Sequence, residues 1–333
     1  MKILVTGATG LVGLHALAEL LKHGRTVRAL VRSPAKLMQC LAPFGVDTRA
    51  LELVEGDVTD SAALPGFVRG CDALVHCAGI YSNNLKDEAR LRRINVDATR
   101  ALLIEAHGQG LDPMIFISSY LALFPPAGQV MTEREAVKFP KEMYARSKAD
   151  AERLVRDLQD REQAPIVSIY PGSIQGPFDP TYGIGTQILE QAVNTGRMLV
   201  TEGGRGYTDV RDLAQLINKA CEPGRGPRRY MFGGYFLTHE AMLEVLEKAT
   251  GRRIKPVRIP GRVLRAIGGV LDLVARLTGR SFLLSGEAAQ VLTRSVPTDD
   301  SRVVQELGLE LVGHEKSFAD LFHWMRDIGK VRF

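Results

Sequence analysis

Little in this chain points to metal, disulfide or membrane-spanning chemistry. Its 333 residues hold only four cysteines, Cys40, Cys71, Cys77 and Cys221, and no two of them form a Cys-x-x-Cys pair. The seven histidines join them in no cluster at metal-ligand spacing, so no metal is expected. Thiols without a pairing framework read as the reduced cysteines of a cytoplasmic protein. No run of about eighteen uncharged apolar residues occurs, so no spanning helix is expected. The sequence enters a strand pattern at once, and no secretory leader is expected. Internal repeats and low-complexity segments are absent. The net charge of +5 is small and gathered in no basic block. It suits an anionic small molecule better than nucleic acid, which calls for a basic patch or stripe.

What is present is alternation. Apolar runs at 2–6, 26–31, 51–55, 72–77, 113–118 and 164–170 read as strands. Amphipathic stretches around 11–23, 34–43, 61–69, 85–108 and 141–161 read as helices. This pattern predicts an α/β protein with a doubly wound parallel sheet of the Rossmann type. After Pro171 the texture becomes irregular and richer in Gly and Pro. The reading is a dinucleotide-binding domain over 1–172 and a smaller, mostly helical substrate region over 173–333. Residues 207–222 are expected to return to the first domain as a strand and helix.

Between the first strand and the first helix stands Thr6-Gly7-Ala8-Thr9-Gly10-Leu11-Val12-Gly13. Strand, glycine turn, helix and second strand follow within about thirty residues, the context that a dinucleotide fingerprint needs. Glycines let backbone approach a pyrophosphate, and a helix N-terminus supplies free N–H groups and a positive dipole end. Farther on, Tyr144-Ala145-Arg146-Ser147-Lys148 puts a phenol and an ammonium one helical turn apart. Positions i and i+4 share a face. A nearby cation favours the phenolate, so Lys148 is expected to lower the Tyr144 pKa towards the working range of an acid–base catalyst.

Glycine turn, tyrosine and lysine in this order resemble the extended short-chain dehydrogenase/reductases, from Met1 to about residue 222, with a weaker echo near Pro297–Gly308. The resemblance implies a catalytic serine at the end of the fifth strand. Ser119 precedes Tyr144 by 25 positions, a separation similar to that of the extended branch, with Ser118 as the alternate. Ser119, Tyr144 and Lys148 are then the expected catalytic set. Asn95 is either the asparagine that supports the lysine through water or a polar residue on a helix surface. The cofactor is expected on Gly7, Thr9, Gly10, Leu11, Val12 and Gly13, on Asp57 and Val58 after strand three, and on Ala78 and Gly79 after strand four. Tyr144 and Lys148 and the segment Tyr170-Pro171-Gly172, through Pro171, complete the cofactor set. Asp209-Val210-Arg211-Asp212-Leu213-Ala214 matches a late strand-to-helix turn.

Strand two ends Val31-Arg32-Ser33-Pro34, without the acid that would bond a ribose 2′-hydroxyl. Arg32 can fork onto a phosphate, and Ser33 and Lys36 stand beside it. NADP(H) is expected over NAD(H). The nearest implied groups are dihydroflavonol-4-reductase-like and 3β-hydroxysteroid-dehydrogenase-like enzymes, acting on a ketone or secondary alcohol of a hydrophobic small molecule. Two alternatives remain: a nucleotide-sugar epimerase or dehydratase with tightly bound NAD, and a non-catalytic NADP-binding regulator. The first is disfavoured by Pro171-Gly172, where epimerases carry Asn, and by only one matching arginine, Arg205, with no counterpart near Arg294. The second is disfavoured by the intact tyrosine and lysine. A homodimer through helices 85–108 and 141–161 is implied.

The stretch Pro260 to Thr278 reads as a helix with Val263, Ile267, Val270, Val274 and Leu277 on one face, widened by Leu264 and Leu271. The first reading is a helix packed into the core of the substrate region. The second is a lid, or a peripheral membrane contact over 260–280 with Arg262, Arg265, Arg276 and Arg280 near headgroups.

Overall fold

Four short strands with no exposed residue form the heart of the molecule. They are β1 (Lys2–Thr6), β4 (Ala73–His76), β5 (Met114–Ile117) and β6 (Ile166–Pro171), and only Lys2 among them is even half-exposed. Near-continuous apolar runs of this kind suit a parallel sheet covered on both faces. With β2 (Thr26–Val31) and β3 (Leu51–Glu55) they build an all-parallel sheet, closed at one edge by β10 (Arg228–Phe232), in the order β10-β6-β5-β4-β1-β2-β3. The structure, a computed structural model, describes every residue except Asn83, Gly279, Arg280, Ser281 and Leu283, and the side chains of Leu85 and Arg276.

Alternate residues of each strand enter opposite cores. Ile3, Val5, Val75, Ile115 and Ile169 join α1 (Leu11–Lys22), α2 (Pro34–Leu41) and α8 (Val210–Ala220). Leu4, Leu74, Met114, Phe116 and Ile166 join α3 (Leu64–Val68), α5 (Thr99–Gly108) and α6 (Met143–Glu162). Between α4 (Glu88–Leu91) and α5, residues Arg92–Ala98 form a π-helical turn. Thr6 pairs with His76 and His76 with Phe116, so the carboxyl ends of the central strands line up along one edge.

The remaining chain forms a satellite with its own core, in which Leu189, Val200, Leu246, Phe318 and Phe322 pack together. It contains β7 (Ser173–Gln175), α7 (Ile184–Thr195), β8 (Arg197–Val200), β9 (Gly204–Asp209), β11 (Tyr235–Thr238), α9 (His239–Thr250) and β12 (Lys255–Arg258). Then come α10 (Gly261–Thr278), α11 (Gly286–Thr293), α12 (Ser301–Leu307), whose Val303 returns to the core of the large sheet, and α13 (His314–Asp327). Its sheets are β11-β9-β7 and β12-β8.

Two features differ from the sequence reading. The strand within 207–222 belongs to β9 and pairs with β7 and β11, whereas only its helix, α8, reaches the first core. The strand that returns to the large sheet is β10, inside the stretch assigned to the substrate region; it opens with two arginines behind a Gly- and Pro-rich turn, which hid it. The apolar face of α10 does not pack into a core. Leu264 is buried, but Val263, Ile267, Val270, Leu273 and Leu277 face solvent. Arg280 and the side chain of Arg276 lie outside the described residues.

Candidate active site

Helix α6 starts because Glu142 caps it: its carboxylate accepts from Tyr144 N (3.1 Å) and Ala145 N (2.8 Å). One helical face then carries Tyr144, Lys148 and Glu152 in turn towards the carboxyl edge of the sheet. The Lys148 ammonium donates to the Ile117 carbonyl (3.0 Å), at the end of β5. Burial pulls its pKa down to about 8. Ser119, two residues beyond Ile117, caps a short turn at Tyr120–Ala122, its hydroxyl accepting from Leu121 N (3.2 Å).

Ser118 and Ser119 part company here. The Ser118 hydroxyl donates to the buried Glu152 carboxylate (2.7 Å), which also accepts from Tyr170 Oη (2.6 Å) and Arg156 Nε (3.1 Å). The Ser119 hydroxyl lies beside the Tyr144 phenol instead, and its nearness lowers the phenol's pKa. Burial outweighs it and pushes the Tyr144 pKa above the ordinary tyrosine value, with Tyr81 and Glu142 adding to the rise. This reverses the expected lowering by Lys148. The physical reason is twofold: desolvation penalises a phenolate, and the ammonium is held on a carbonyl of β5. The Tyr81 ring packs against that of Tyr144 at 4.7 Å between centroids.

Asn95 lies within the π-helical turn and is 2% exposed. Its amide takes Ile80 N (2.8 Å) and gives to Ile80 O (2.9 Å) and Ser147 Oγ (3.0 Å). Ser147 in turn donates to Tyr144 O (2.8 Å). The side chain therefore ties the loop after β4 directly to α6, and the helix-surface alternative does not hold. Behind it, the Thr99 hydroxyl donates to Asn95 O (3.0 Å) and meets His76 Nε2 (2.9 Å), whose Nδ1 meets Thr6 Oγ1 (2.7 Å). Burial drives His76 down to about 3, so it stays neutral. Thr6, Thr99, Ser147 and Glu152 were not singled out from sequence; the only signal was placement at the end of β1 for Thr6, one helical turn after Asn95 for Thr99, and on the Tyr144 helix for Ser147 and Glu152.

The glycine turn fits a dinucleotide on steric grounds. A β-carbon on Gly13 would lie 2.3 Å from Gly7 O, and one on Gly7 would lie 2.6 Å from the backbone of Cys77 and Ala78, at φ +72°. Turn, α1 and the β4 loop are thus pressed together with room for backbone only. Gly10 caps α1 with no side chain, and the first turn holds no acid. Its N–H groups remain available to an anion.

A family model described as the NAD dependent epimerase/dehydratase family matches residues 3–233. The chain belongs to that family. It is a family of NAD(P)-dependent oxidoreductases and epimerases. "Sterol demethylase protein B" of Methylococcus capsulatus is 29% identical over 99% of this chain and 100% of its own length. "4-hydroxy-2-methyl-3-oxo-4-farnesyl-3,4-dihydroquinoline-1-oxide ketoreductase" of Stigmatella aurantiaca is 28% identical, covering 92% of this chain and 91% of its own. The crystal structure of gox2253 superposes with a TM-score of 0.84 at 24% identity, over 100% of this chain and 99% of the other, and shares the fold.

The remaining expected positions of this family member lie around the same edge. Thr9, Leu11 and Val12 are half-buried in the turn and first helix. Arg32 is exposed beyond β2 and makes no hydrogen bond or salt bridge among the described residues. Ser33 spends its hydroxyl capping α2, accepting from Lys36 N (3.3 Å); Lys36 is exposed. Asp57 accepts from Thr59 N (2.9 Å) and Thr59 Oγ1 (2.8 Å), bonds that hold its carboxyl below the usual range, with Arg32 and Arg93 adding to the effect. Arg93 is a second cation at this end that sequence reading did not assign. Val58 and Ala78 are half-buried and Gly79 is exposed; a β-carbon on Gly79 would lie 3.4 Å from Asn95 Oδ1 and 3.8 Å from Lys148 Nζ. Pro171 is buried at the end of β6, in register with Phe232, and Tyr170 turns inward to Glu152.

Proposed function

We propose that this chain is a NADP(H)-linked oxidoreductase that interconverts a ketone and a secondary alcohol on an apolar substrate. The observation that carries the reading is the convergence of Ser119, at the end of β5, and Tyr144, on α6, over a floor fixed by Lys148 on Ile117 O and by Asn95 through Ser147. Between them these two hydroxyls hold a carbonyl oxygen, and Tyr144 gives its proton to the forming alkoxide while Ser119 donates a hydrogen bond to it. A phenol whose pKa is raised by burial stays protonated at neutral pH, which supports the reductive direction. Asn95, through Ser147, keeps α6 in register with the β4 loop. The bound dinucleotide supplies the hydride. Gly7 to Gly13 would hold its pyrophosphate, Asp57 and Val58 its adenine, and Lys148 its nicotinamide ribose. Arg32, uncommitted and exposed, would take a 2′-phosphate.

An apolar core beside Ser119 supports an apolar substrate. Tyr120 and Leu121 pack beside a cluster of Leu123, Phe124, Met131 and Met231, and Val291 joins them from α11. The names of the two relatives, a sterol demethylase protein and a ketoreductase of a farnesylated ring, support the same polarity.

The test is NADPH oxidation against ketones, 3-oxo-steroids, flavanonols and 3-oxoacyl compounds, with UDP-sugars as the contrary set. Tyr144→Phe is expected to lose roughly 10²–10⁴ in turnover while still binding NADPH by fluorescence titration; near-normal turnover refutes the assignment. Arg32→Ala is expected to weaken NADPH about tenfold to a hundredfold and leave NADH unchanged. A wild-type preference for NADH sinks the choice of cofactor.

A further inference from the structure

Helix α10 has its sides reversed for a globular protein. Its inner side is small and polar. Gly261 N donates to Glu202 (2.8 Å), Arg265 donates to Thr293 Oγ1 (2.7 Å), and Leu264 is buried. Gly268 approaches α11 so closely that a β-carbon would lie 2.7 Å from Ser285 O. Its outer side carries Val263, Ile267, Val270, Leu273 and Leu277, exposed by 43, 42, 61, 57 and 78%. Their spacing of three or four residues makes one stripe. Nothing among the described residues covers it.

We propose that this outer face docks on a lipid bilayer carrying anionic headgroups. Charge favours that occupant. The carboxylates in and beside the α10–α11 hairpin are engaged by backbone N–H groups: Glu202, which also pairs with Arg265, by Gly261, Asp272 by Gly286 (3.0 Å) and Glu287 by Lys141 (2.9 Å). The cations Arg262, Arg294 and Lys141 have no carboxylate partner among the described residues. On the helical wheel Arg262 falls at the edge of the stripe, where a side chain can reach headgroups while its neighbours enter the acyl boundary. Size disfavours a second copy of the chain. Eighteen helical residues span about 27 Å, so the stripe offers roughly 300 Å². A stable dimer needs about 800 Å² per partner.

The hairpin also leads to the candidate active site. Glu287 of α11 accepts from the backbone N–H groups of Lys141 and Glu142, at the start of the helix that carries Tyr144. A docked α10 holds the start of α6, and with it Tyr144, near the lipid. The docking itself is independent of the proposed reaction, and its test uses no turnover.

Co-sedimentation of the full chain with phosphatidylcholine vesicles, with and without phosphatidylglycerol, decides it. Wild type is expected to pellet with the anionic vesicles, less so in high salt. Val270→Glu and Leu277→Glu are each expected to lower binding roughly tenfold or more, as loss of one buried aliphatic side chain implies. Arg262→Glu is expected to weaken binding to anionic vesicles only. Circular dichroism checks that the variants fold. Failure of wild type to bind, or equal binding by folded Val270→Glu and Leu277→Glu, overturns the proposal. So does light scattering in which those substitutions split an oligomer and leave vesicle binding unchanged.

Discussion

Lys148 illustrates how far a side chain's chemistry depends on its surroundings. Spacing puts its ammonium one turn from Tyr144, and that much was legible in the sequence. The depth of the site was not, and depth reverses the expected effect on the phenol. It also makes the lysine costly. A lysine that binds its proton at about 8 when folded and near 10.4 when unfolded destabilises the fold. The penalty is fully present below pH 8 and is relieved as pH rises from there through the unfolded value. Lys148→Met is therefore expected to melt higher than wild type at pH 7, by up to about 3 kcal/mol in stability. The gap should close in alkaline melts; a gap constant with pH contradicts the buried charge. The choice between Ser118 and Ser119 was open to spacing alone, because adjacent residues at a strand end point to opposite sides. Glu152, buried, engages the Ser118 hydroxyl, which favours Ser119 as the serine proposed for catalysis.

Among the elements, the strands were the easiest to read. A strand covered on both faces leaves an unbroken apolar run, and β1 to β6 lie close to the expected bounds. The π-helical turn left no such trace: its composition is that of an ordinary helix, and the register shift shows only in the backbone. Such turns cluster at functional sites, and this one turns Asn95 inward. Asn95→Ala removes an amide that makes three hydrogen bonds to Ile80 and Ser147 and leaves buried backbone groups unpaired. A cost of roughly 2–4 kcal/mol is expected, read as a lower denaturant midpoint. Turnover should fall more than NADPH affinity does, since the amide holds the Tyr144 helix rather than the glycine turn. A loss confined to stability would mark Asn95 as structural only. β10 escaped notice because it begins with charge and because its partner, β6, lies far behind it in sequence.

At the scale of the whole molecule, an apolar stripe can be read from spacing, but its direction cannot. The periodicity of α10 is the same whether its stripe faces a core or the outside. With α10 docked as proposed, the proposed oxidoreductase would draw apolar substrate from the bilayer. Val270→Glu is accordingly expected to raise KM several-fold for a ketone dissolved in vesicles. For a water-soluble ketone KM should stay unchanged, and a parallel rise in both contradicts delivery from lipid. The position of β10 also carries a consequence for the order of events during synthesis. The glycine turn, Ser119 and Tyr144 leave the ribosome well before residue 228 is made. Until then β6 is an open edge. At roughly 5–20 residues per second, that edge waits several seconds for its partner. The nascent chain is thus most vulnerable to wrong pairing after its whole candidate catalytic set has emerged, and a chaperone that shields β6 would guard the step on which the rest depends.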